Sequence, residues 1–543
     1  MPVHALIYGP YNGEGQPEWI QLLADKVALY DTTLRDGSQT EGVSFSTEDK
    51  LDILKRLDHF GMDYIEGGWP GSNPKDAAFF EAASSMRLKH ARLTAFGSTR
   101  RAGITAAEDV NLRTIVASGA ECVAIFGKAW DLHVSNALKI SNEENLELVA
   151  DSVAFLKSNG REVVFDAEHF FDGYAHNAPY AMEVLEAAAS AGADWLVLCD
   201  TNGGSLPSFV GEAVKAVRQR FDVPIGVHAH NDGELAVANS LAAVAAGATM
   251  VQGTVNGLGE RTGNANLCSI IPNLSLKMNR SITPPDLGLL TSLSNFVAET
   301  ANVLADPKLP YVGKSAFAHK GGVHVSAMMR DPRTYEHIDP ALVGNQRRML
   351  VSELAGTASI QAKVREFGID TEKEGGRAIL EHLKRLEAEG YQFEGADASF
   401  ELLVRRLRDD IKPPFHLEGF RIFVDVSGEN VSSEASIKVL DSSGMMEHTA
   451  ANGNGPVNAL DRAVRKALER FYPQLREVRL ADYKVRVIDG KDATGAKVRV
   501  LIRSTDGKET WTTVGVSTNI IEASLAALLD SMEYKLLKHS NGG

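Results

Sequence analysis

Two histidines spaced as His228-x-His230 and a carboxylate at Asp36 are the first residues whose types could do chemistry together. Residues two apart on a strand leave the same face, so both imidazoles can reach one ion. Two nitrogens and one carboxylate leave coordination positions open, as a catalytic metal site requires. With no thiolate in the set, the ion would be a divalent cation such as Mn²⁺, Mg²⁺, Co²⁺ or Zn²⁺, and the ligands do not choose among them. The plain alternative is a pair of hydrogen-bonded core histidines. Arg35 stands beside Asp36 in DTTLRDGSQ. A permanent guanidinium next to an ion-bound keto group could stabilise the alkoxide that forms when the carbonyl is attacked, although a surface arginine is the ordinary reading. The phrase NGLGERTGNANL offers Gly257, Gly259 and Gly263 for close backbone approach and Asn264 as a neutral oxygen ligand or a support behind the ligands. Asn231-Asp232, directly after the histidines, read as caps for the next helix.

Residues so far apart in sequence need elements that all end at one place. Between Val27 and Gly263 short β-branched or aliphatic runs alternate with longer amphipathic stretches, the βαβ rhythm. The runs are ALYDTT, YIEGG, RLTAFGS, CVAIFG, EVVFDAEH, WLVLCDT, PIGVHAH and MVQGTV, and each reads as a strand buried on both faces. Eight such strands predict a closed (β/α)₈ TIM barrel of the α/β class. Gly61, Gly119, Gly192 and Gly247 each precede a strand, where a helix should end on a left-handed residue. Ser46 and Asp49 form a candidate capping box for the first helix, with Leu51, Leu54 and Leu57 on its inner face. In such a barrel the chemistry gathers at the carboxyl ends of the strands. Those ends carry Asp31 to Asp36, Glu66, Glu168 and His169, Asp200 to Asn202, His228 to Asp232, and Asn256 to Asn264.

The chain has 543 residues, more than one ordinary domain holds. A catalytic barrel over 1–280 is expected, then helical linker subdomains over 281–410, where EGGRAILEHLKRLEAEG and DASFELLVRRLRDD read as helices. After Lys412-Pro413-Pro414 the texture changes to strands followed by an alanine-rich helix, twice, which predicts a duplicated α+β domain over 411–543. A net charge of −15 argues against a nucleic-acid partner, whose footprint would be basic. No apolar run reaches the roughly 18 residues of a membrane span, so no membrane partner is expected. MPVHALIYGPYNGEG lacks the pattern of a signal peptide, and Cys122, Cys199 and Cys268 lack C-x-x-C spacing, so a reducing cytoplasm is the expected location.

DTTLRDGSQ, HAHND and GLGERTGN, in this order on a predicted barrel, resemble the acyltransferase family that includes isopropylmalate, homocitrate and citramalate synthases. EGGWPGSNPKD, YEHIDPALVGN and LVSELAG extend the likeness over nearly the whole chain and favour the branch that takes pyruvate. The resemblance implies a metal-dependent Claisen-type condensation of acetyl-CoA with pyruvate, followed by thioester hydrolysis. It maps the metal ligands to Asp36, His228 and His230, with Asn264 in or near the coordination shell. It further assigns Arg35 to the keto oxygen, Thr201 to the carboxylate of the 2-oxo acid and Glu168 to a polar contact near the acetyl group.

HKGGVHVSAM resembles the family's linker region, in which a histidine assists enolisation; His324 matches best, with His319 as competitor and Tyr335 nearby. Trp69 stands where relatives using larger 2-oxo acids carry a smaller aromatic, which implies a pocket shortened toward pyruvate's methyl group. The duplicated domain resembles the family's regulatory domain. It implies a homodimer and an effector, isoleucine or leucine, received near Pro456-Val457-Asn458 and Thr518-Asn519. Four alternatives stay open: a synthase using a larger 2-oxo acid, a carbon–carbon lyase of the same barrel class, an iron oxygenase triad, and an amino-acid sensor without activity.

Overall fold

The computed structural model describes residues 26–282, 286–320, 322–350, 357–370, 372–393, 395–408, 411–427, 430–488 and 495–540. The segment MPVHALIYGPYNGEG and most of LVSELAG lie outside the described residues. The chain divides into two units, the first running to Phe317 and taking back Asp339–Gln346, the second holding Ala318–Ile338 and Arg347 onward.

In the first unit all eight expected strands form, as β1 (Ala28–Asp31), β2 (Tyr64–Gly68), β3 (Arg92–Ser98), β4 (Cys122–Lys128), β5 (Glu162–Glu168), β6 (Trp195–Asp200), β7 (Ile225–Ala229) and β8 (Met250–Gly253). They close into one barrel in sequence order, β8 pairing back onto β1 in parallel. The runs were almost wholly apolar because both faces are covered, one by the barrel interior and one by the helices. Alternate residues point inward, and Ala28, Tyr30, Tyr64, Phe96, Cys122, Ala124, Val164, Val197, Cys199 and Met250 pack there as one cluster.

The punctuation is as expected. Gly61, Gly119, Gly192 and Gly247 adopt φ values of 101°, 78°, 97° and 112°, conformations that a β-carbon would strain. Ser46 Oγ accepts from Asp49 N at 3.1 Å and the Asp49 carboxylate accepts from Ser46 N at 2.9 Å, closing the capping box of helix Thr47–Phe60. The inner face of that helix is Ile53, Leu54, Leu57 and Phe60, whereas Leu51 is only half-buried.

The second unit contains helices Thr357–Glu366, Lys373–Ala388 and Asp397–Leu407, which bury Ile360, Val364, Leu383 and Phe400 in a common core. Beyond them the expected duplication is plain. Strands Phe415–Ser427, Asn430–Asp441 and Met446–Gly453 precede helix Pro456–Phe471, and strands Arg479–Val487, Val498–Thr505 and Thr510–Ser517 precede helix Ile520–Ser540. Both sheets are antiparallel. Among the described residues no helix is long and apolar enough to cross a membrane.

Candidate active site

Inward parity places the chemistry. On β7 His228 faces the barrel interior, and His230 follows two residues later on the same side, so both rings reach the mouth. Asp36 comes from the loop after β1, and the three side chains offer ligand atoms that all lie within 4.8 Å of one another. His228 Nε2 and His230 Nε2 are 3.3 Å apart and stand 3.5 and 3.9 Å from Asp36 Oδ2. All three residues are buried. Burial opposes ionisation of Asp36, but Arg35 and then the two imidazoles prevail and hold its carboxyl below the usual range. Burial also lowers both histidines, His230 to about 4, so the rings are neutral and carry lone pairs at neutral pH.

Asn264, 2% exposed, pairs with His230 through an isolated bridge, and its amide donates to Leu258 O at 3.0 Å. Its side-chain oxygen is buried with no donor on it. Neutral nitrogens meeting beside a carboxylate, with an orphaned amide oxygen alongside, are the donor set that a divalent cation would satisfy. The loop that delivers Asn264 depends on its glycines: Gly257, Gly259 and Gly263 have φ of 70°, 158° and 95°, and a β-carbon on Gly259 would strike the Asn264 amide.

Arg35 is held on three sides. Its Nε donates to Glu66 Oε1, its Nη1 lies 3.3 Å from Asp36 Oδ2, and its guanidinium stacks 3.8 Å over the Phe96 ring. Glu66, fully buried, also accepts from Tyr30 Oη at 2.6 Å and Thr32 Oγ1 at 2.8 Å. Three donors on one carboxylate make Arg35 a fixed charge rather than a mobile one. Behind His228, Gln252 Oε1 lies 3.0 Å from Nδ1 and Gln252 Nε2 donates to Asp166 at 3.0 Å. Asp166 is pushed up to about 8, by burial first and by the charge of Glu66 second.

A cavity of about 250 Å³ opens over these groups, lined by Arg35, Asp36, Trp69, Glu168, Thr201, His228 and His230 among others. Its aromatic wall is a box. Trp69 sits edge-on to Phe96 and Phe126, with centroids 5.7 and 5.8 Å away, and its Nε1 donates to Asn111 Oδ1 at 2.5 Å. Glu168, at the end of β5, pairs with Lys128 of the neighbouring strand. Thr201 Oγ1 accepts from His169 N at 2.9 Å, so its own hydrogen is free for another acceptor. Arg261 clamps the rim, with two bonds of 2.8 Å to Asp232 and one of 2.9 Å to Thr201 O. Asp232 is therefore no cap. Only Asn231 reaches the next helix, accepting from Ala236 N at 3.2 Å, because the bidentate guanidinium claims the Asp232 carboxylate.

All the barrel residues expected at the site therefore meet at one mouth. His324 belongs to the second unit, where it is exposed in helix Gly322–Met328 and stacks on Tyr335 with ring centroids 4.1 Å apart. His319, in the same unit, lies 3.2 Å from the buried carboxylate of Glu336. The roles of Glu66, Asp166 and Gln252 were missed at the sequence level. A usable signal existed, since each is a polar residue at inward parity within an otherwise apolar strand. A wider groove of about 650 Å³ on two outer helices is lined by Ala150, Ala154 and Ala187 together with the carboxylates of Asp151, Glu183 and Glu186, and no imidazole joins them.

The HMGL-like family matches residues 26–297, the homocitrate synthase post-HMGL domain-like family 311–391, and the LeuA allosteric (dimerisation) domain 394–536. An (R)-citramalate synthase of Aquifex aeolicus is 55% identical over 96% of this chain and all of its own length. A second, of Geobacter sulfurreducens, is 56% identical over 94% of this chain and 98% of its own. A probable 2-isopropylmalate synthase of Methanopyrus kandleri is 34% identical over 93% of this chain and 98% of its own. The chain belongs to the HMGL-like barrel enzymes and, with its LeuA domain, to the isopropylmalate and homocitrate synthase family of acyltransferases. Within that family its group is the (R)-citramalate synthases.

Proposed function

We propose that this chain condenses acetyl-CoA with pyruvate and hydrolyses the product thioester, releasing (R)-citramalate and free CoA. The observation that carries the reading is the joint arrival of Asp36, His228, His230 and Arg35 at one small, aromatic-walled cavity. When bound, a divalent cation (Mn²⁺, Mg²⁺, Co²⁺ or Zn²⁺) held by Asp36, His228 and His230, with Asn264 Oδ1 beside them, supplies Lewis-acid polarisation of the keto group.

The protein does the rest. The Thr201 hydroxyl donates to the carboxylate of pyruvate, its oxygen already satisfied by His169 N. His324 takes a proton from the acetyl methyl, the general-base task that a positioned imidazole performs. The methyl carbon then bonds to the keto carbon, and the carbonyl electron pair moves onto oxygen, where the Arg35 guanidinium stabilises it until a proton from solvent completes the hydroxyl. Glu168 makes a polar contact near the acetyl group. Water finally cleaves the carbon–sulfur bond, leaving a carboxylate and the CoA thiol. Trp69 shortens the acid pocket, and because a methylene is worth only about 1 to 3 kcal/mol the preference for pyruvate is graded.

The organisation we propose is a catalytic barrel over 1–280, linker subdomains over 281–410 and a regulatory, dimer-forming domain over 411–543, working as a cytoplasmic homodimer. Its product feeds isoleucine synthesis, and isoleucine, with leucine second, is the effector we assign to the C-terminal domain. The test is thiol release from acetyl-CoA with a panel of 2-oxo acids, before and after chelation. Expected is fastest turnover of pyruvate, lost on chelation and restored by Mn²⁺. Equal turnover of 2-oxoisovalerate would overturn the substrate assignment, and full activity after chelation would overturn the metal.

A further inference from the structure

Gln252 is fully buried on β8 and ties His228 to a carboxylate that no step above uses. The parallel register sets it beside His228 on one side and Tyr30 on the other, all on the inward face. Its amide bridges His228 Nδ1 and Asp166 Oδ1 at 3.0 Å each. In the structure the NH₂ end donates to Asp166 Oδ1 and the carbonyl end faces His228 Nδ1. A carbonyl can only accept, so the ring must bring its hydrogen on Nδ1. The remaining lone pair sits on Nε2, the atom 3.5 Å from Asp36 Oδ2 and 3.3 Å from His230 Nε2.

We infer that Gln252 is a positioning residue that locks His228 in the tautomer able to ligate a divalent cation through Nε2, with Asp166 as the anchor that keeps the amide from turning. The inference rests on the metal-centre reading above and extends it to residues outside the ligand set. Without the amide, Nδ1 would lose its acceptor, and the hydrogen would be free to move to Nε2, where it blocks the ligand atom. Outer partners of this kind are worth about 10- to 100-fold in metal affinity.

The test uses the full chain, stripped of metal and titrated with Mn²⁺ alone, free ion being read from its electron paramagnetic resonance signal. Gln252→Leu is expected to weaken Mn²⁺ binding by about 10- to 100-fold, whereas Gln252→Glu, whose carboxylate still accepts from Nδ1 although it loses the bond to Asp166, is expected to lose less. The nitrogen-15 shifts of the His228 ring, assigned by their loss in His228→Asn, are expected to show Nδ1 protonated in the metal-free parent and a tautomer mixture in Gln252→Leu. If leucine prevents folding, Gln252→Met makes the same comparison. Parent-like Mn²⁺ affinity in the leucine variant, an unchanged tautomer, or equal losses in the leucine and glutamate variants would each overturn the inference. A parent protein that binds no Mn²⁺ would overturn the metal-centre reading with it, whereas tight binding by both parent and leucine variant would overturn this inference alone.

Discussion

Glu66→Gln isolates the charge that fixes Arg35. Glu66 Oε1 takes Thr32 and Arg35 while Oε2 takes Tyr30. In the amide, the oxygen can keep Thr32 and Arg35, and the new NH₂ faces the Tyr30 hydroxyl, which rotates and accepts. The hydrogen bonds survive in number, and what disappears is the negative charge. Bonds to a charged group are worth about 1.5 to 3 kcal/mol against about 0.5 to 1.5 for neutral pairs, and the Arg35 bond keeps its charged donor, so the two exchanges at Thr32 and Tyr30 cost on the order of 2 kcal/mol. About 2 kcal/mol of lost stability is therefore expected in urea unfolding. The effect on rate should be larger. Arg35 is left with Asp36, 3.3 Å away, as its nearest anion, and is drawn off the line on which it stabilises the alkoxide. Losing one aligned donor at a developing oxyanion costs about 10²- to 10³-fold in kcat. Steady-state thiol release should show that fall with the KM for acetyl-CoA unchanged. A variant with parental kcat would refute the role given to the Glu66–Arg35 pair, as would a loss fully cured by raising Mn²⁺.

Trp69→Leu removes one wall of the aromatic box and should raise kcat/KM for 2-oxobutyrate relative to pyruvate by about 10-fold, the value of roughly one methylene; an unchanged ratio would take Trp69 out of the specificity argument. Burial pushes Asp31 up to about 7 from 3.8, its bonds from Thr33 notwithstanding, so between those values the folded state holds a proton that the unfolded chain has lost. Stability therefore falls as pH rises through that window and levels off above it. Asp31→Asn removes the slope, and its stability relative to the parent should rise by up to about 4 kcal/mol between pH 4 and pH 8, read by urea unfolding; a constant gap would refute the shift. Isoleucine added to steady-state assays is expected to inhibit, and deleting residues 411–543 to abolish the response; no response to isoleucine or leucine would leave the C-terminal domain structural.

Much of the barrel was legible because parallel strands covered on both faces read as unbroken apolar runs, and because Gly61, Gly119, Gly192 and Gly247 stop helices where L-residues are strained. The meeting of Asp36, His228, His230 and Asn264 was legible for a related reason: they lie at strand ends, where the fold gathers side chains whatever their separation in sequence. Glu66 stood out only as a polar strand end, since its value comes from donors on β1 and the following loop. Gln252 and Asp166 left only a parity signal in apolar strands, and the partners they bind, each other and His228, required the register of β5 to β8. Asp232 was misread for lack of its partner, Arg261, 29 residues away. The bond from Trp69 to Asn111 spans 42 residues, across a helix and a strand, a distance over which local patterning carries no information.

The most direct measurement is an anomalous difference map from crystals of the full-length protein soaked in Mn²⁺. The expected result is one strong peak at the barrel mouth within about 2.0 to 2.2 Å of Asp36 Oδ2, His228 Nε2 and His230 Nε2, absent in His230→Ala. No peak there, with ordered side chains left as described, would contradict the metal centre on which the proposed chemistry depends.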